Sequence, residues 1–150
     1  MNSKINSPVN SDFIIRDFKD EDFDEVAGLW ESTGMGRRER GDGKEVIIRT
    51  LRAGGSLLVM VEKNSGIICG TSWITCDGRR TYLHHFGILP SFQGKGLANL
   101  LMEATMEKLR EKGLQAKLEV HRSNHRAVNL YKKFGFGYLG DYDVYIRRDI

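Results

Sequence analysis

The sequence is short of cysteine, of long apolar runs and of net charge, and each shortage closes a route. Only two cysteines, Cys69 and Cys76, occur in 150 residues. They form neither a C-x-x-C pair nor a metal-spaced set, which points to reduced, packed thiols and not to a disulfide framework. No uninterrupted apolar stretch approaches the ~18 residues that span a bilayer. The first ten residues, Met1 to Asn10, lack the apolar core of a secretory signal. Basic residues exceed acidic ones by 23 to 20, a net charge of +3, too slight to imply nucleic-acid binding. The clusters Arg37-Arg38-Glu39-Arg40, Arg79-Arg80 and Arg147-Arg148-Asp149 are brief and broken by acids, as solvated surface is. The expectation is a soluble cytoplasmic protein with neither nucleic acid nor membrane as partner.

What is present suits one globular domain: 40% hydrophobic and 29% charged residues, over a length that fills a single core. Residues 1–12 are polar and read as a loose tail, leaving 13–150 as the domain. Phe13 to Phe18 reads as a strand. Phe23, Val26, Ala27 and Trp30 repeat at helical spacing, with Asp20 as the expected cap and Gly34 as the stop. A shorter helix carries Ile47, Ile48 and Leu51 and ends at Gly54-Gly55. The polar stretch from Gly34 to Gly43 between the two helices reads as a mobile loop, facing either substrate or plain solvent.

Strands are predicted at Ser56 to Glu62, Ile67 to Cys76 and Thr81 to Leu89. A helix with the stripe Leu97, Leu101, Ala104 and Leu109 follows and stops at Gly113. Ala116 to His121 reads as a strand, His125 to Phe134 as a helix and Tyr138 to Arg147 as a closing hairpin. The order β-α-α-β-β-β-α-β-α-β-β gives an α/β (α+β) fold, with a mixed sheet flanked by helices. Within it, Thr81 to His121 forms a strand–helix–strand unit with parallel strands.

The informative segment is Pro90-Ser91-Phe92-Gln93-Gly94-Lys95-Gly96-Leu97-Ala98-Asn99. It joins a strand to a helix N-terminus, where unpaired N–H groups and the helix dipole favour an anion. Two glycines let the backbone approach a phosphate. Lys95 adds charge, and Gln93 and Asn99 bring amide donors. A glycine-rich turn that simply starts a helix would look the same. A Walker loop is excluded because Leu97 follows Gly96. A dinucleotide fingerprint fits better, with Gly94-x-Gly96 and Glu119 at the end of the next strand, but Asn99 stands where a third small residue belongs.

A more specific match is available. Gln93-x-x-Gly96-x-Ala98 resembles the Q/R-x-x-G-x-G/A motif of the GNAT superfamily of N-acetyltransferases. Asn124-x-x-Ala127-x-x-Leu130-Tyr131, running on to Gly135-Phe136, resembles that superfamily's second segment. With the shared element order, the resemblance covers about Phe13 to Ile150. It implies a splayed sheet and acetyl transfer from acetyl-CoA to an amine by direct attack in a ternary complex. The histidines share no ligand spacing with nearby acids, so no metal is expected. The diphosphate of CoA would lie on the N–H groups from Gly94 to Ala98, at the start of the Leu97 helix. Pantetheine would run like a strand beside Phe86, Gly87 and Ile88, its amides pairing with main-chain groups that the splay leaves open. Gly87 would suit a bulge there, or it would serve close packing. An N–H near Ile88 would steady the oxyanion.

Tyr131 matches the superfamily's tyrosine that protonates the departing thiolate, although a core tyrosine on an amphipathic helix is the plain alternative. Asn124 would bind cofactor, cap its helix, or do both. For the base there are two candidates. Glu119 lies 12 residues before Tyr131, similar to ribosomal-protein N-terminal alanine acetyltransferases, while strand alternation alone would leave it solvent-facing. His84 lies on the cofactor strand with an unperturbed pKa near ~6.5, and alternation places His84 and His85 on opposite faces. The acceptor is an amine of open identity, whether a small amine, a protein N-terminus or a lysine, and the protein a monomer or homodimer. The alternatives are a non-catalytic acyl-CoA-binding module on the same fold and, more remotely, a dinucleotide-binding oxidoreductase.

Overall fold

Four residues in the middle of one strand, Leu57 to Met60, are all buried, so both faces of that strand are covered by other elements. The computed structural model describes residues 12–36 and 38–150, except for the side chain of Arg38. Of the expected tail only Asp12 falls among these, its carbonyl accepting from Lys63 N at 2.9 Å. The elements are β1 (Phe13–Asp17), α1 (Phe23–Thr33), α2 (Lys44–Arg52), β2 (Ser56–Glu62), β3 (Ile68–Cys76), β4 (Thr81–Ile88), α3 (Leu97–Lys112), β5 (Ala116–Leu118) and α4 (His125–Lys133). The chain divides into two compact units, one ending at Glu119 and one running from Val120 to Ile150.

In the first unit the sheet runs β1-β2-β3-β4-β5. The first three pairings are antiparallel, and β4 pairs β5 in parallel, as the strand–helix–strand reading requires. Alternation along β2 sorts the core into two layers. Leu57 and Val59 join Val26, Leu29 and Trp30 of α1, Ile47 of α2, and Trp73. Leu58 and Met60 join Leu97, Leu101 and Ala104 of α3, with Cys69 and Ile88. Helices α1 and α2 therefore cover one face and α3 the other.

Buried polar groups bridge the layers. Ser72 and Thr105 share a hydrogen bond of 2.7 Å, and Thr105 also donates to Leu101 O. Trp73 Nε1 donates to Thr50 Oγ1 at 2.9 Å, and Ile68 N donates to Glu25 Oε1 at 2.7 Å. Each satisfies a group that would otherwise cost ~1–3 kcal/mol in the interior.

Local differences from the sequence reading have physical causes. Asp20 does not cap α1. A single 3-10 turn, Asp20–Asp22, precedes the helix, and Asp22 is the working carboxylate. It accepts from Arg16 Nη1 and Nη2 at 2.7 and 2.9 Å and from Lys19 N at 2.8 Å. That guanidinium holds the Asp22 carboxyl below its usual range. The connection from Gly34 to Gly43 is seated where it is described: Gly36, Asp42 and Gly43 are buried. Cys69 and Cys76 are free thiols, Cys69 buried.

The second unit contains α4 and the segment after it. Gly140 and Asp141 both have positive φ, 64° and 51°, the pair of angles that a tight hairpin turn needs. No strand is formed on either side of that turn, and Tyr138, Tyr142 and Tyr145 are exposed. Two short strands by themselves bury too little to hold a ladder, so the expected closing hairpin is present as its turn alone.

Candidate active site

After β4 the chain makes one 3-10 turn, Pro90–Phe92, and then passes through Gly94 and Gly96 with φ of 80° and 76°. Left-handed backbone at these two positions turns successive N–H groups toward one side, a concavity suited to anions. Gly96 is the N-cap of α3, whose first turn carries no acidic residue, so no side chain of that turn cancels the positive end of the helix dipole. No atom lies within 4 Å of where a Cβ would stand on Gly94 or Gly96. Space beside both glycines is therefore open, and a left-handed turn at a helix start is the kind of backbone that can present N–H groups to a phosphate. Gln93 Nε2 donates to Ile88 O at 2.9 Å, so this amide ties the loop to the end of β4. Lys95 Nζ sits 5.2 Å from the centre of the Phe92 ring, which keeps a cation beside the loop. Leu97 is buried in the α3-face core, with Ala98 packed against it, and Asn99 is half-buried.

The strand before the loop is bent. Thr71 pairs with Gly87 and Trp73 with His84, so His85 and Phe86 together oppose Ser72 in a β-bulge. The bulge sits at His85, whose φ is 46°, and not at Gly87. Gly87 serves close packing: a Cβ there would come within 2.8 Å of Met35 Sδ. A bulged strand bends, and parallel pairing with β5 ends at Leu83 and Leu118, just before it. This is why β5 stops at Leu118 and does not reach His121. Glu119 follows directly, and His84 to Ile88 lie beyond the last β5 rung.

The bulge also breaks the alternation. Both histidine rings lie on the Trp73 side, and the expected division between faces does not hold. His84 is 6.1 Å from the Trp73 ring and stacks on Tyr82 at 6.3 Å. Its Nε2 shares a hydrogen bond of 2.8 Å with Thr75 Oγ1. The ring still meets solvent, yet surrounding protein lowers its pKa by desolvation and His85 by like charge, while Glu119 and Asp42 pull the other way. His84, Glu119, His85 and Asp42 thus share one electrostatic neighbourhood. His85 and Asp42 were not legible as a pair, since only the fold brings positions 42 and 85 together. Beyond the bulge Phe86 and Ile88 turn to the α3-face core.

The remaining motif residues belong to the second unit. Asn124 caps α4, its side-chain oxygen accepting from Ala127 N at 3.2 Å. Tyr131 meets Phe136 edge-on at 6.0 Å, and burial pushes its phenol up to about 12. Among the described residues no group of three or more His, Cys, Asp or Glu could hold a metal ion. No described helix is long and apolar enough to cross a membrane.

Comparison with solved structures places this architecture among acetyltransferases. An acetyltransferase from Streptococcus agalactiae superposes with a TM-score of 0.75 at 18% identity, over 93% of this chain and 94% of that one. AAC(6')-Iy, solved with the bisubstrate analogue CoA-S-monomethyl-acetylneamine, gives 0.73 at 18% identity over 91% and 99%. Ard1 from Thermoplasma volcanium gives 0.71 at 22% identity over 85% and 84%. Residues 16–136 match the acetyltransferase (GNAT) family, a span that runs across both units and contains the glycine loop, the bulged strand and the Tyr131 helix. The chain belongs to that family and is an acetyl-CoA-dependent acetyltransferase.

Proposed function

We propose that the protein transfers the acetyl group of acetyl-CoA to a primary amine, of a small molecule or of a protein N-terminus or lysine, by direct attack in a ternary complex. The observation that carries this reading is the pair of left-handed glycines, Gly94 and Gly96, with open space at their Cβ positions at the start of α3, next to five β4 residues beyond the last β5 rung. The first feature suits paired phosphates. The second offers main-chain groups to an extended, amide-bearing chain along Phe86, Gly87 and Ile88. Acetyl-CoA supplies the activated thioester; the residues below bind, orient and move protons. The analogue bound to AAC(6')-Iy joins CoA to an acetylated amine, which supports an amine as acceptor here. Both units would form a single acetyltransferase domain, as monomer or homodimer.

His84 is the base in this reading. Its lowered pKa leaves it neutral at pH 7 and able to accept a proton, and Thr75 fixes its ring. Glu119, in the same field, assists by favouring the protonated imidazole. Tyr131, held up at about 12, is a far weaker acid than a thiol of pKa ~8.5. It therefore acts as a hydrogen-bond donor to the departing sulfur more than as a full proton donor. Asn124 and Ala127 set the helix that carries it.

Thiol release from acetyl-CoA tests the reading, with four acceptors: an alanyl peptide, N-acetyl-lysine amide, spermidine and neamine. Turnover of at least one, lowered tenfold or more in His84→Gln and in Tyr131→Phe, is expected. Tight acetyl-CoA binding by calorimetry without turnover of any amine would favour the non-catalytic module instead.

A further inference from the structure

His85 lies outside the roles assigned so far, yet it is the most constrained side chain near the site. It holds a left-handed backbone conformation, φ 46°, unusual for a residue with a Cβ. Trp30 packs against its ring at 4.6 Å and Trp73 at 5.3 Å, both edge-on. Its main-chain carbonyl accepts from Thr71 Oγ1 at 2.8 Å, and that hydroxyl oxygen in turn accepts from Trp30 Nε1 at 2.9 Å. Its Nε2 is enclosed, 3.0 Å from Asp42 Oδ1. It is buried and makes no hydrogen bond, so its contact with Asp42 is an ion pair when the imidazole is charged.

Asp42 belongs to the 34–43 connection between α1 and α2, and two further contacts press that connection onto β4. Met35 fills the space above Gly87. Gly36 passes so close to Asp42 Oδ2 and His85 Nε2 that a Cβ could not be inserted. The connection therefore rests on Gly87, the point where the reading above runs the pantetheine chain, and is fastened one step away at His85.

We propose that His85 is a positioning residue: paired with Asp42, it latches the 34–43 connection to the β4 bulge and so governs how an acceptor amine is held. This rests on the acetyl-transfer reading for its consequence, while the latch itself is a property of the protein alone. His84 beside it and Glu119 at the end of β5 are the other titratable groups in this neighbourhood.

The chain has only two tryptophans, and both touch His85, so intrinsic fluorescence reports the seating of that ring without any ligand. At pH 7 the emission maximum is expected to shift in His85→Gln and in Asp42→Asn. Hydrogen exchange at 38–43 is expected to accelerate tenfold or more in His85→Gln, with exchange at 94–98 unchanged. With the fastest amine of the four-acceptor panel, His85→Gln is expected to raise the acceptor KM tenfold and leave the acetyl-CoA KM within twofold. An emission maximum unmoved in Asp42→Asn, or unaltered exchange at 38–43 in His85→Gln, overturns the latch. Equal rises in both KM values overturn its role toward the acceptor. If wild type acetylates none of the four amines, the acetyl-transfer reading fails, and fluorescence and exchange still decide the latch.

Discussion

Thr71 offers a test of how the bulge is held. It is fully buried, and its hydroxyl joins two partners from different elements: the Trp30 indole N–H on α1 and the His85 carbonyl on β4. Thr71→Val keeps the shape and removes the hydroxyl. A buried donor and a buried acceptor then lose their partner together, at ~1–3 kcal/mol each. The added methyl recovers about 1 kcal/mol, leaving a net loss of roughly 1–5 kcal/mol. Thr71→Ser is the control, since it keeps both hydrogen bonds and forfeits about 1 kcal/mol of methyl burial. Urea unfolding followed by circular dichroism measures both variants, and an unchanged m-value would confirm that stability alone has moved. At ~2–4 °C per kcal/mol for a chain of this size, the valine variant should melt roughly 2–20 °C below wild type. If valine proves as stable as serine, the hydroxyl is not what fixes the bulge and the reasoning is wrong.

Other outcomes follow from the same geometry. Gly96→Ala meets no steric obstacle but must hold φ near 76°, costing about 1–2 kcal/mol; calorimetry should show weaker acetyl-CoA binding with the fold retained. Because desolvation and His85 lower the His84 pKa, His84 is neutral throughout the range above the free-imidazole value. The rate kcat/KM should therefore hold steady down to about pH 6.5 and fall only below it, and His84→Gln should flatten that limb. Tyr131, at about 12, should contribute no alkaline fall below about pH 10, the value of a free phenol. Burial pushes the Cys69 thiol up to about 11, so a thiol reagent at pH 8, followed by mass spectrometry, should modify Cys76 well before Cys69 in the native protein.

The parts of the molecule legible in the sequence are those set by local pattern. The stripe from Leu97 to Leu109 is the α3 core face, and the two glycines before it adopt the left-handed angles that an anion-binding turn requires. What sequence could not show depends on partners far along the chain. Alternation divides His84 from His85, but the bulge arises from how Ser72 on the neighbouring strand is paired, and β4 by itself carries no mark of it. Gln93 reads as a donor to ligand because its attachment to Ile88 O is a matter of loop geometry. Asp20 reads as the cap of α1, but it is Asp22 that Arg16, on β1, engages, and the Asp22 side chain makes no bond to the helix. The closing hairpin has its turn at Gly140 and Asp141, whereas strand formation depends on what the flanking residues meet, which local pattern does not encode.

The two-layered core has one more consequence, for the indexing of the sheet. A strand that is apolar on one side only is locked in frame, since slipping by one residue would drown its oily half. β2 has no such safeguard, because Leu57 and Val59 could trade places with Leu58 and Met60 at little hydrophobic cost. Frame must then be dictated by directional bonds that tolerate no translation: Thr71 to Trp30, Ser72 to Thr105, and Ile68 N to Glu25. All three are anchored on β3, which makes that strand the ruler from which its neighbours are measured.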